Sequence, residues 1–265
     1  MSTVGATSAP DAMHDVRRPQ QRFGRIVVIG GGCYGSYYVR QLGRARRAEA
    51  VTWEELVVVD RDTTCAVSTL EPTERPPRMR LVGAHWQEYL AEYLPVAVGD
   101  SARHGDAIVP SPLMPHLLAD WLVARARGRW PGRTLRIEPI ATLPSIPWQR
   151  SGDDGTRYVS FAEWICPINC IEPARCPETR GARSWSLPVA LTSSPLAGSQ
   201  EEPAAVPLLF HCTHRAYGVG MIDVRGVVDA DATIALRAAS SRAAFLLGTV
   251  SHCHGALRRI TIEAP

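Results

Sequence analysis

The sequence predicts an α/β protein. A mainly parallel sheet is expected over residues 23–143, followed over 144–265 by a loop-rich part that carries five of the seven cysteines. Three observations lead there. Arg25–Ile29 and Glu54–Asp60 are short, unbroken apolar runs rich in β-branched residues, as strands buried on both faces are. A glycine cluster and a helix-compatible segment separate them. Strand-like and helix-like stretches then keep alternating to about Ala141, the pattern of a parallel sheet with crossover helices.

Taken in order, residues 1–22 are small and polar and read as a disordered tail without the apolar stretch of a signal peptide. After the strand at Arg25–Ile29, Ser36–Leu42 is helix-compatible, with Gly43 placed to end it. Glu54–Asp60 is the second strand. The stretch 61–79, with Pro72, Pro76 and Pro77, reads as a loop. Met79–Trp86 is strand-like, Trp86–Leu94 helical and Asp106–Val109 a strand ahead of Pro110. Pro112–Arg127 has Leu113, Leu117, Leu118, Leu122 and Val123 near helical spacing. Thr134–Ile140 is a further strand candidate. Pro144, Pro147 and Gly152–Gly155 then mark a boundary. The stretch 163–205 holds Pro167, Pro173, Pro177, Pro188, Pro195 and Pro203 and little periodicity, so an aperiodic segment of that length needs something to hold it. Pro207–Phe210, Gly218–Val224 and Ala244–Val250 read as strands, and Ala230–Arg242 as a helix.

Composition excludes whole mechanisms. All 29 basic residues are arginine, so no lysine is available for a Schiff base, a pyridoxal anchor, a phosphate loop or a kinase site. Anion contacts must come from arginine or backbone amides. The net charge of +3 is too small to imply nucleic acid, and Trp130, Trp148, Trp164 and Trp185 form no stripe with arginines. No apolar run approaches the roughly 20 residues of a membrane helix. The chain is expected to be cytoplasmic, where cysteines serve as metal ligands, reactive thiols or core rather than disulfides.

The glycine cluster has the spacing Gly30-x-Gly32-x-x-Gly35, after a strand and before a helix, with Asp60 ending the next strand 25 residues beyond Gly35. This unit resembles the fingerprint of Rossmann dinucleotide-binding domains, firmly over residues 23–65 and loosely to 140. The resemblance implies that Gly30 makes the tight turn, Gly32 admits a pyrophosphate and Gly35 lets helix and strand pack closely, with phosphates at the helix N-terminus. It implies NAD, NADP or FAD as cofactor. Asp60, matching the ribose-binding acid, favours NAD or FAD, while Arg61 keeps NADP open. Cys33 within the turn is a small filler or, at a helix N-terminus, a reactive thiol.

Three further segments concentrate cysteine and histidine. Cys166, Cys170 and Cys176 fall within eleven residues, two of them followed by proline. The run partly resembles the cysteine run of bacterial ferredoxins but lacks its two-residue spacings and fourth cysteine. Downstream, His211-Cys212-Thr213-His214 and His252-Cys253-His254 each follow a strand. The three loop cysteines, with Cys212 and Cys253, are candidate ligands for zinc or an iron–sulfur cluster. His211, His214, His252 and His254 are either ligands or groups for proton transfer. Arg215, followed by Gly218 and Gly220, is a candidate anion contact.

Two functions are compatible with these residues. One is an oxidoreductase pairing NAD(P) or FAD with a metal or thiol centre from the C-terminal part. The other is a non-catalytic nucleotide-sensing module pinned by structural zinc. A nucleotide-dependent transferase has no second phosphate motif to support it.

Overall fold

The computed structural model describes residues 20–164, 166–167, 170–193 and 203–265, so most of the expected tail lies outside the described residues. Among those described, the chain builds two six-stranded sheets with helices between and outside them.

The first sheet starts from β1 (Gln21–Ile29), whose Val27 and Val28 are both fully buried, one toward each face. It pairs in parallel with β2 (Val51–Asp60) on one side and β4 (Ala107–Val109) on the other, and β2 pairs in parallel with β3 (Met79–Gly83). Two later strands, β9 (Thr213–Ala216) and β10 (Val219–Asp223), complete this sheet antiparallel, in the order β3-β2-β1-β4-β10-β9. The expected parallel arrangement is therefore confined to four strands.

The second sheet is mostly antiparallel. It runs β6 (Trp148–Ser151), β7 (Arg157–Ser160), β12 (His254–Ile262), β11 (Ala243–Val250) and β8 (Val206–His211), with β5 (Leu135–Glu138) also on β12. Within this sheet, among the described strands, only β11 and β8 pair in parallel. The strand expected at Thr134–Ile140 thus does not extend the first sheet. It runs antiparallel to β12 in the second.

Between the sheets lie α2 (Trp86–Gly99), α3 (Leu117–Arg129) and α5 (Val224–Arg237). One continuous core joins Val27 and Val57 of the first sheet, Leu90, Leu122 and Val227 of the helices, and Phe245 and Ile260 of the second sheet. On the outer face of the first sheet, α1 (Cys33–Arg47) packs Val39 and Leu42 against Ile26 and Val58. On the outer face of the second, α4 (Leu187–Ser193) buries Leu187 and Leu191.

Two helix boundaries differ from expectation for identifiable reasons. Gly43 does not end α1, which runs to Arg47. A Cβ there would sit 3.3 Å from Pro76 Cγ, so this glycine serves the approach of the 61–79 loop. The third helix begins at Leu117 rather than Pro112, and Leu113 is left on the surface. Prolines at 110, 112 and 115 deny that segment the backbone donors a helix needs.

Asp106 locks the middle layer to the first sheet. Its buried carboxylate accepts the Arg25 backbone N–H at 2.7 Å and the Tyr93 hydroxyl of α2 at 2.6 Å, while its carbonyl accepts the Val224 N–H that opens α5. Asp106→Ala leaves an amide and a hydroxyl buried without acceptors, at about 1–3 kcal/mol each. We expect denaturant unfolding to show a loss of about 2–4 kcal/mol, and Tyr93→Phe a smaller one.

Candidate functional site

Two cavities open beside the C-terminal ends of the parallel strands. The first, of about 500 Å³, is lined by Asp60 and Arg61 after β2, His85 and Trp86 after β3, and Leu113 and Met114 after β4. The second, of about 260 Å³, lies between Tyr38 of α1, Ser111 after β4, the loop before α4 and the ends of β8 and β11. The glycine turn stands between them. A Cβ on Gly30 would be 3.3 Å from Trp86 Cζ2, on the first cavity, and 4.0 Å from Ser111 Oγ, on the second.

The three glycines meet different surroundings. Gly30 has φ +94°, open to glycine at little cost. Gly35 touches the backbone that precedes it: a Cβ there would lie 1.9 Å from the Gly30 carbonyl oxygen. At Gly32 a Cβ would meet nothing within 4 Å, and as the N-cap of α1 it leaves the first-turn amides without a side-chain cap. Gly31, which the spacing does not mark, is fixed twice. Its N–H donates to Asp60 Oδ2 at 2.7 Å, and Cys65 fills the space its Cβ would take. Asp60 also accepts the Asp62 N–H at 2.9 Å, so its carboxylate shapes the turn itself. Cys33, in the first turn of α1, is exposed.

The second cavity brings together five of the nine cysteine and histidine candidates: Cys166, Cys170, Cys212, His214 and His254. The other four lie apart from it. Cys176 sits in a small hairpin, its N–H on the Gly181 carbonyl at 2.9 Å. Hydrogen bonds from Thr179 hold its thiol pKa below the ordinary value. Cys253 is buried and accepts the Trp185 indole N–H at 3.3 Å, and burial pushes its pKa up to about 11. His211 and His252 stack edge to face with ring centres 4.9 Å apart.

Among the described residues, no group of three or more His, Cys, Asp or Glu side chains is placed to hold a metal ion. The expected single coordination sphere around Cys166, Cys170 and Cys176 is not formed. Nor do His252 and His254 share a strand face: β11 ends at Val250 and β12 begins at His254, leaving 251–253 as the turn.

The residue that organises the cavity is Glu172, which no spacing or motif marks. Its only sequence signal is an acid alone among cysteines and prolines. It sits at φ +50°, and its buried carboxylate accepts the Ser251 hydroxyl at 2.6 Å and the backbone N–H groups of His252 and Cys253 at 3.0 Å each. Burial alone would raise its pKa. Those donors, with His214 Nδ1 at 3.8 Å, outweigh burial and hold the carboxyl below the ordinary range.

His254 is locked by Ser160. That hydroxyl donates to the Ala162 carbonyl at 2.6 Å and accepts the Ala162 N–H at 2.9 Å. Its proton being committed, the 2.9 Å contact with His254 Nδ1 requires Nδ1–H as the donor, which leaves Nε2 as an acceptor. Burial pushes His254 and His214 below the usual imidazole pKa against the opposing pull of Glu172, and pushes the Cys212 thiol up to about 12. The cavity therefore holds one carboxylate, neutral imidazoles and a neutral Cys212 thiol. Thr249, 8% exposed, also lines it, and its hydroxyl has no partner among the described residues.

Fold and site define a two-sheet α/β protein with a glycine turn between two cavities, one rich in thiol and imidazole. Residues 118–263 match the family model AF_1314_C, described as "Uncharacterized protein, C-terminal domain", and the chain belongs to that family. No curated protein and no solved structure matches the chain. Among the described residues, no helix is long and apolar enough to cross a membrane.

The site predicts a two-stage acid response. The buried histidines have depressed folded pKa values, so the unfolded chain binds protons first and stability falls as pH drops below about 6.5. The Glu172 pKa is also depressed, so its contribution is complete above the unfolded carboxyl value of about 4.3 and is lost as pH falls through the folded value. Urea midpoints measured from pH 7 to 3 should show both stages. Glu172→Gln should lower stability at pH 7 and show a smaller second stage than the parent, the remainder coming from other carboxylates with depressed pKa values such as Glu55 and Asp154. A variant tracking the parent down to pH 3 would contradict the assignment.

Proposed function

We propose that the chain binds a dinucleotide across the Gly30–Gly35 turn and is an oxidoreductase acting on a small molecule in the Glu172 cavity. The observation that carries this reading is the open face at Gly32, lying on a turn flanked by one cavity on each side. Ligands of parallel α/β sheets bind outside the C-terminal strand ends, where strand order reverses, and here β2 and β4 flank β1 at that point. The residues fit the cofactor class. The amides of Gly32 and the uncapped first turn of α1 would receive a pyrophosphate. Asp60 and Arg61 would meet the ribose, with Trp86 and Met114 lining the adenosine side.

NAD and FAD suit the Asp60 carboxylate better than NADP, whose 2′-phosphate needs the adjacent Arg61. When bound, such a cofactor accepts or delivers a hydride. The chain's own part is to exclude water and move a proton, for which His214 and His254 are buried and neutral. A nucleotide sensor pinned by structural zinc has less support, because no metal-holding group is found among the described residues.

Calorimetric titration with NAD, NADP and FAD tests the reading. Gly32→Val should fold with an unchanged midpoint, since its Cβ meets nothing, and should bind the nucleotide at least about a hundredfold more weakly because the side chain occupies the phosphate position. Asp60→Asn keeps one oxygen for the Gly31 N–H and should weaken NAD about tenfold while sparing NADP. Undiminished binding by folded Gly32→Val would reject the site.

A further inference from the structure

We infer that Thr249 Oγ1 and His254 Nε2 form an oxygen-binding subsite in the second cavity for the hydroxyl group of a small, uncharged alcohol. The inference rests on the reading above for what happens to that alcohol, but the subsite stands on the chain's own groups.

The first of these is the Thr249 hydroxyl. Buried hydroxyls are almost always hydrogen-bonded, and each exception asks for an explanation. Thr249 lines the cavity with its hydroxyl unpartnered among the described residues, so the missing partner is sought in the cavity. The second is His254, whose Nδ1–H is committed to Ser160. Its remaining nitrogen, Nε2, offers a lone pair.

The strand register places the two side chains together. Thr249 pairs with Ala256 across the β11–β12 ladder, and His254 lies two residues before Ala256 on β12. Alternation along a strand puts residues 254 and 256 on one face, so Thr249 and His254 are diagonal neighbours there. One offers a donor and the other an acceptor. A hydroxyl oxygen uses both at once, accepting from Thr249 and donating to Nε2. An ether oxygen uses only the first.

The cavity also sets size and charge. Its 260 Å³ equals roughly nine waters at about 30 Å³ each, room for a molecule of about that many heavy atoms. Glu172 is the only carboxylate among the described lining residues, and no arginine is among them. A carboxylate or phosphate ligand would therefore face a like charge without a guanidinium fork to meet it.

The test is a nucleotide-free titration of the full chain, read by calorimetry and by histidine side-chain NMR. The ligands are cyclohexanol, butane-2,3-diol and lactate. At least one alcohol should bind with a millimolar Kd and shift the His254 Nε2 signal, and lactate should bind at least about tenfold more weakly. Thr249→Val removes only an unpartnered hydroxyl and so should fold. His254→Asn keeps a donor for Ser160 and deletes Nε2. Each should weaken the alcohol about five- to tenfold.

Gly32→Val should bind the alcohol as the parent does, and Thr249→Val should bind dinucleotide as the parent does, so failure of one site is told from failure of the other. The subsite is overturned if neither alcohol binds the parent, if lactate binds best, or if Thr249→Val binds the alcohol undiminished.

Discussion

An ionised carboxylate survives in a protein interior only where enough donors meet it, and Glu172 meets three, two of them backbone amides. The grip works in both directions. It ties the proline-rich loop before α4 to the turn between β11 and β12, and it gives that turn's amides the acceptor they lack as a ladder ends. The cost appears in the backbone, since Glu172 adopts a left-handed conformation uncommon for a residue with a side chain. Cys166 and Cys170 reach the cavity on the loop so anchored, and His254 leaves the turn at its other end. The Glu172 carboxylate ties this loop to that turn, and the Arg183 side chain donates to the Glu172 carbonyl from the far side of the same loop.

The glycine turn is organised by a carboxylate too. Asp60 closes β2 by accepting from Gly31 and Asp62, so the residue proposed to meet a ribose also shapes the path of the chain between β1 and α1. Tyr38 and Ser111 then link this turn to the Glu172 cavity, the first from α1 and the second from the segment after β4. The spacing of the two cavities thus depends on strand order in the first sheet as well as on side chains.

What the sequence reveals follows from how local each signal is. β1 and β2 are buried on both faces and therefore read as unbroken apolar runs, and the loop at 61–79 announces itself through its prolines. Strand β12 does not, because Arg258 and Arg259 interrupt it. Both are buried, and their partners are far off in sequence: Asp120, Asp154 and Thr156 for Arg258, Glu138 for Arg259. No periodicity encodes partners more than a hundred residues away. The four exposed residues of β6 carry no apolar alternation, and β9 is short and polar. At the site, the clustering of Cys166, Cys170, Cys212, His214 and His254 follows the sequence grouping. Glu172, Ser160 and Thr249 are common residue types whose roles exist only once the turn at 251–253 has formed.

The path of the chain between the sheets bears on what a domain means here. After β8 it leaves the second sheet, lays β9 and β10 on the edge of β4, passes through α5 and returns as β11 and β12. The stretch by which the family is recognised, 118–263, therefore includes two strands whose supporting sheet is encoded before it. Excised alone, it would present the exposed edge of β10 and the uncovered inner face of α5 to water, an invitation to strand-to-strand association. Sequence kinship and folding autonomy thus have different borders in this protein.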